Sequence, residues 1–345
     1  MNSTTIAVDV AQTVFEVAVS EHPGQVRDRH RFSRERFRRY LGEQPPAAIL
    51  MEACGSAHYW GRQAQQHGHR VVLLPPHVVR PYVVGNKTDR TDAKGLLEAA
   101  RNDAARPVPV KTEMQQAVTA LHRLRSTWLA TRTARLNTVR GLLREFGIVI
   151  PIGARHVGPT VSGLLEDADA DVPGVLRAML VETTQEICEL ERRIRLVEGQ
   201  LETVAEQLAA VAHLRSIPGI GLLTATALVA AVGDVQRFPS GRHFASYLGL
   251  TPRERSSGQR HQLGGISKRG DSYLRMLLIH GARAMLWRAK RKTAPVPDRL
   301  SAWALQLEHT RGHNKAAVAL ANKMARIAWA VWKTGRPYHP CAAAA

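Results

Sequence analysis

Cysteine is scarce in this chain of 345 residues: Cys54, Cys188 and Cys341 are far apart and form no CxxC pair. That pattern argues against a disulfide framework and a zinc site, and fits a reducing cytoplasm. Aromatic residues make up only 5 % of the chain, so aliphatic side chains and Ala must fill the core that a 44 % hydrophobic content allows. Acidic residues are outnumbered, 29 against 48 Lys and Arg, which leaves a formal charge of +19. An excess of this size suits a polyanionic partner, because each neutralised phosphate releases counterions. Long apolar runs are missing. The longest near-continuous one, Leu222–Val232, is too short to span a bilayer. Asp9 interrupts the first apolar stretch, so no signal peptide is expected. The expectation is a soluble, cytoplasmic protein that binds nucleic acid and no membrane.

The first hundred residues read as strands followed by alternating strands and helices. Thr4–Val10 and Val14–Ser20 form a candidate hairpin, and Gln25–Ser33 a third, exposed strand. Arg34–Leu41 suits a basic helix, and Ala47–Glu52 and Arg70–Leu74 suit short buried strands. Ser56 is placed to cap a helix that runs to His67, and Asp89 or Thr91 to open one that runs to Ala104. This order implies a mixed α/β sheet.

From Thr112 to Phe146 the composition is helical, and Pro151–Asp171, rich in Gly and Asp, reads as a loop. Leu176 to Leu208 then carries apolar residues at alternating steps of four and three, the seam of a coiled coil. That seam suits either a hairpin with Thr112–Phe146 or a contact between subunits. The remaining helices are expected over Leu222–Val232, Asp271–Ala289, Asp298–Glu308 and Asn314–Trp332, with a tail from Pro337. The expected domains are 1–110, an α/β domain; 111–212, a helical coiled-coil connector; 213–336, a mainly α C-terminal domain; and a tail, 337–345.

Four carboxylates stand out. Asp9 lies inside the apolar strand TTIAVDV, where an unpaired charge is costly to bury. Glu52 ends the buried strand AAILME. In an RNase H-like sheet these strands, the first and fourth, lie side by side. Asp89 and Asp92, in NKTDRTDA, share one face near the start of a helix, where the dipole favours anions. Alone, each acid is an ordinary strand end or helix cap. Together, four converging carboxylates with oxygen-only donors call for Mg²⁺ or Mn²⁺ and point to phosphoryl transfer on nucleic acid.

Further along, LRSIPGIGLLTATALVAAV reads as a helix–hairpin–helix. Gly219 and Gly221 allow the turn, and its amides can receive a phosphate. The plainer alternative is an ordinary helical hairpin turn. Thr251–Gly270 is polar, Gly-rich and basic. Arg253, Arg255, Arg260, Lys268 and Arg269, with Arg275 on the following helix, are candidates to line a phosphate path. By itself Ser257, before Gly258, is an unremarkable turn serine.

Asp9, MEACG with Glu52, and KTDRTDA with Asp89 and Asp92 resemble the DEDD transposases of insertion sequences, the bridge-RNA-guided recombinases. The resemblance continues in order through IPGIG, YLGLTPRERSSG and GGISKRGDSYLRMLLIHGARA, and covers most of the chain. One departure is Gln12, where many members carry Lys. The resemblance implies a RuvC-like nuclease domain, a coiled-coil connector and a C-terminal transposase domain. It further implies a Mg²⁺ site at the four acids and a nucleophilic serine at Ser257. Donor and target DNA, a structured guide RNA and a homo-oligomer, dimer or tetramer, would be the partners. The rival readings are a hydrolytic nuclease or junction resolvase that uses water, and a non-catalytic binding protein.

Overall fold

In the computed structural model, residues 4–22, 25–83, 89–102, 105–291 and 298–339 are described, without the side chains of Asp89 and Arg90. The chain divides into two compact units, Met1–Gln116 and Ala117–Ala345.

In the first unit, alternation of apolar residues yields strands β1 (Thr5–Val10) and β2 (Val14–Ser20), which pair antiparallel. β3 (Asp28–Ser33) adds antiparallel to β2. β4 (Ala48–Glu52) and β5 (Arg70–Leu74) continue the sheet in parallel on the other side of β1. The resulting order, β3-β2-β1-β4-β5, is a mixed sheet. Helices α1 (Arg34–Glu43) and α2 (Ala57–Gln66) cover one face. Their Phe37, Leu41 and Trp60 pack with Ile6, Val8, Phe15, Ile49 and Met51. Phe15, Phe37 and Trp60 have ring centroids 5.0–5.3 Å apart. Such a pair adds about 0.5–1.5 kcal/mol beyond its buried area.

The opposite face carries Ala7, Ala18, Leu50 and Leu74. It is covered by the short α3 (Pro76–Val79) and by α4 (Asp89–Ala99), whose Ala93, Leu96 and Leu97 are buried there. Ser33 caps α1 by accepting from the Arg36 amide. Ser56 precedes α2 as expected, but at φ 64° its side chain makes no capping bond. The helix expected to reach Ala104 ends at Ala99, and Ala104 lies outside the described residues.

The second unit holds a long helix, α5 (Glu113–Arg144, most of it in this unit), and another, α7 (Gly174–Glu206). They run antiparallel: Arg125 pairs with Glu198, Arg132 with Glu191 and Arg135 with Glu186. The apolar seam of α7 is filled within the chain. Leu180 and Ile187 pack with Leu136, Val139 and Leu143, while Val197 and Leu201 pack with Val118. Between the two lies α6 (Val157–Glu166), within the stretch expected as a loop. Its Val157 and Val161 are buried against the same cluster, a two-residue apolar signal that the surrounding Gly and Asp obscure.

The rest of this unit is built from α8 (Ala209–Arg215), α9 (Leu222–Val232), α10 (Gly241–Tyr247), α11 (Ser272–Ala289), α12 (Arg299–Arg311) and α13 (His313–Thr334). Asp271 caps α11 by accepting from the Tyr273 and Leu274 amides, and Asp298 caps α12 through the Ser301 amide. Ala316, Ala317, Ala321, Ala325 and Ala328 of α13 are fully buried. Alanine lets helices approach closely, which is how a core with few aromatics closes. Within the polar, Gly-rich basic stretch 251–270, β6 (Pro252–Glu254) and β7 (Leu263–Ile266) form a hairpin. Both faces of that hairpin are largely exposed, so no apolar alternation announces it.

Candidate active site and nucleic-acid interface

Side chains alternate across a strand, so Asp9 shares the face of Ala7, and Glu52 that of Leu50. This is the face that α4 covers. β1 and β4 are parallel with Val8 opposite Met51. Continued by one residue, that register sets Asp9 beside Glu52 at the carboxyl ends of neighbouring strands. Both are half-buried. On α4, half-buried Asp92 lies one turn before Leu96, which is buried against Ala7 and Leu50, so Asp92 belongs to the sheet-facing side of the helix. Asp89 opens α4, and its side chain lies outside the described residues. Among the described residues, no group of three or more His, Cys, Asp or Glu side chains is arranged to hold a metal ion.

The carboxylates make this corner electronegative. Cys54, two residues past Glu52, is half-buried, its Sγ 3.9 Å from the Val10 carbonyl oxygen. Its thiol pKa is pushed up first by burial, then by the negative charges of Glu52 and Asp9. One thiol therefore feels both acids.

In the second unit, Ser257 sits at the tip of the β6–β7 hairpin. Its amide donates to the Arg260 carbonyl oxygen and the Arg260 amide donates back, at 3.2 and 3.1 Å, closing a four-residue turn over Gly258 at φ 58°. The two serines differ. Ser256 Oγ donates to Glu254 Oε1 at 2.7 Å and accepts from the Gln262 amide at 3.3 Å. The Ser257 hydroxyl makes no hydrogen bond among the described residues, and the residue is exposed.

The basic residues fall into two kinds. Arg253 and Arg255 are exposed and line a recess of about 220 Å³ with Gln262, Gly264 and Gly265. Arg260, Lys268 and Arg269 are also exposed. Arg275 is half-buried, and its Nη1 donates to the Leu248 and Arg269 carbonyl oxygens, so it ties the start of α11 to the end of α10.

Gly219 and Gly221 lie in the turn between α8 and α9. Gly219, at φ 82°, is pressed against Gly281 of α11, whereas Gly221 is exposed and a Cβ added there would meet nothing within 4 Å. A buried polar group that pattern reading passed over is His122 of α5. Its Nδ1 is 3.0 Å from the Tyr273 hydroxyl and its Nε2 3.0 Å from Thr226 Oγ1, so it joins α5, α9 and α11. Its only sequence signal was a polar residue on the inner face of a helix. Burial, then the charge of Arg125, lowers its pKa to about 4.

Comparison with known proteins gives the class first. A family model described as "Transposase", of the IS110 DEDD type, matches residues 6–148, and one described as "Transposase IS116/IS110/IS902 family" matches residues 211–295. The chain is 43 % identical over 99 % of its length to the whole of a Pseudomonas aeruginosa protein named "Probable family 20 transposase". It is 38 % identical to the transposase of insertion sequence element IS1111A of Coxiella burnetii, over 94 % of this chain and 88 % of that one. To the transposase of element IS1328 of Yersinia enterocolitica it is 36 % identical, over 97 % and 98 %. These are enzymes that act on DNA by phosphoryl transfer. The chain belongs to the IS110 family of transposases. Among the described residues no helix is long and apolar enough to cross a membrane.

Proposed function

We propose that the chain cuts and rejoins DNA through a divalent cation held by Asp9, Glu52, Asp89 and Asp92 and a nucleophile supplied by Ser257. The observation that carries this reading is the strand register, which brings Asp9 and Glu52 together on the face covered by α4. The mixed sheet is compatible with an RNase H-like, RuvC-like domain over residues 1–110. Residues 111–212 act as a coiled-coil connector, and 213–336 as a transposase domain whose α8–turn–α9 unit is a helix–hairpin–helix.

The donor set fits the cation: it is made only of carboxylate oxygens, the ligands that Mg²⁺ and Mn²⁺ take. When bound, the ion polarises phosphodiester oxygens and offsets the charge developing on them. The protein's own part is to orient the phosphodiester and to supply the attacking oxygen. Ser257 Oγ bonds to phosphorus as the bond to the leaving strand oxygen breaks, and that oxygen takes up the proton. The phosphoserine link keeps the bond energy, so a new strand end can reverse the step without ATP. Exposure at a hairpin tip and a hydroxyl without a hydrogen-bond partner suit Ser257 to this role. Arg253, Arg255, Lys268, Arg269 and the Gly221 turn hold phosphates. Arg275 positions the hairpin's base. A structured guide RNA and a homo-oligomer complete the assembly.

Denaturing electrophoresis of reactions on labelled DNA with Mg²⁺ tests this. A serine-linked protein–DNA adduct is expected with the wild type and is lost in Ser257→Ala, which still binds metal and DNA. Recombination by Ser257→Ala at the wild-type rate would refute the serine mechanism and leave water as the nucleophile.

A further inference from the structure

The outer surface of α13 carries a stripe that the mechanism above does not use. Lys315, Arg326 and Lys333 recur at intervals of eleven and seven residues, so they share one side of the helix, with half-buried Asn322 between them donating to the Leu250 carbonyl oxygen. The helix contains no Asp or Glu. Its opposite side is buried in the core, so packing does not require these cations.

Along the stripe, α13 forms one wall of a groove of about 950 Å³, and Trp303 of α12 and the hairpin residues Pro252 and Ile266 form the others. A second recess, of about 590 Å³, continues past the shared Lys323 and Arg326 to Arg242 and Trp329. Neither is lined by a carboxylate. Lys315, Lys323 and Arg326 have no ion-pair partner among the described residues, although many other basic side chains of this protein do. Lys323 Nζ lies 4.2 Å from the centre of the half-buried Trp303 ring.

Unopposed cations beside an indole match the two halves of a nucleotide, phosphate and base. Duplex DNA keeps its bases paired and stacked and offers no free base face to a recessed ring, whereas a single strand does. We propose that this groove holds a single strand of DNA, with one base on the Trp303 indole and its phosphates on Lys315, Lys323 and Arg326. The proposal rests on the reading of the chain as a strand-exchanging enzyme, a reaction that separates DNA strands. In the free protein Lys323 occupies the indole face. On binding, a base replaces it there and the ammonium moves to a phosphate.

The test is fluorescence anisotropy of the full chain with a labelled twelve-residue thymidine strand, a duplex of the same length, and a uridine RNA strand. Trp303→Leu keeps the apolar contact without the stacking face. It is expected to weaken the thymidine strand at least fivefold, the lower end of the range for one stacked base, and to leave the duplex unchanged. Trp303→Tyr is expected to retain most of the affinity. Lys323→Gln with Arg326→Gln, both away from the buried face, should reduce the slope of log affinity against log salt by about 1.4, or 0.7 per phosphate released. Wild-type affinity in Trp303→Leu at an unchanged melting temperature overturns the proposal. So does an equal loss on duplex and single strand, or dependence on Trp303 for the RNA strand alone. Should Trp303→Leu not fold, an unchanged salt slope in the double variant overturns it. The serine adduct is read separately: its absence leaves this groove intact, and failure here leaves the serine mechanism intact.

Discussion

Gly219, in the turn between α8 and α9, and Gly281, in the middle of α11, meet backbone to backbone. A Cβ added to Gly281 would lie 2.0 Å from the Gly219 carbonyl oxygen, and one added to Gly219 would lie 2.9 Å from the Gly281 carbonyl oxygen. This contact explains Gly219 without any phosphate. Gly281→Ala should therefore cost about 1–3 kcal/mol or more in urea unfolding, as overpacking does when backbone must move. Gly221→Ala, with open space around it and φ −94°, should unfold at nearly the wild-type midpoint. If Gly221→Ala is as unstable as Gly281→Ala, the assignment of packing to one glycine and exposure to the other is wrong.

Cys54 senses the negative charge of both Glu52 and Asp9, whose strands end side by side. Asp9→Asn and Glu52→Gln should each still fold and melt cooperatively in EDTA. Both should lose at least ~100-fold in recombination, since misplacing a reacting group by about 1 Å costs that much. In Mg²⁺ the wild type should gain about 2.7 kcal/mol at a hundredfold excess over Kd, and the variants much less. Equal Mg²⁺ stabilisation of all three proteins in thermal melts would remove the metal from these acids.

Ser256 and Ser257 should separate cleanly. Ser256 bridges Glu254 and the Gln262 amide, so Ser256→Ala loosens the hairpin by about 1 kcal/mol, the scale of one exposed hydrogen bond. The adduct should still form, a few-fold more slowly. A complete loss of adduct in Ser256→Ala, with Ser257→Ala active, would exchange the two roles.

Acid should weaken the second unit through His122. Its pKa falls from 6.5 in the open chain to about 4 in the fold, because burial, then Arg125, disfavours the imidazolium. The unfolded chain thus binds the extra proton first, so stability is intact above pH 6.5 and declines as pH falls from about 6.5 to 4. The full decline from His122 is about 3 kcal/mol. His58, also lowered to about 4 by burial and then by Lys111 and Arg62, adds to it in the first unit. Urea melts at pH 7.5 and 4.5 should show a smaller difference in His122→Gln, which does not titrate. Parallel pH dependence in the two proteins would exclude His122 as the origin.

Much of this molecule was legible from residue order, and the reason is local physics. The apolar Phe15, Val17 and Val19 at every second position of VFEVAVS and the β-branched run of TTIAVDV favour strands, and β1, β2, β4 and β5 fall within a residue or so of the pattern. Steps of four and three along Leu176 to Leu208 demanded a helix with one apolar seam, and α7 covers all but its end. Acids inside apolar strands and at a helix start marked the candidate site because a charge in such a place needs a partner. Ser33, Asp271 and Asp298 cap their helices through short-range hydrogen bonds, whereas Ser56, the cap that the pattern offered for α2, makes none.

Other features depended on groups far apart in sequence. Whether the α7 seam faced another subunit or its own chain was open in the pattern. Packing against α5, with Arg125 reaching Glu198 and Arg135 reaching Glu186, closes it within the chain. The hairpin of β6 and β7 carries no apolar alternation, since both its faces are largely wet, and the pairing of Gly219 with Gly281 leaves no trace in either local sequence. Nothing in the spacing of Trp303 and Lys323 sets them against each other. Composition and periodicity determined the elements, the charge and the acids. Which surfaces those elements buried, which serine stayed free, and which cations were left unpaired were decided only by tertiary packing, because only the folded chain fixes the neighbours of a side chain.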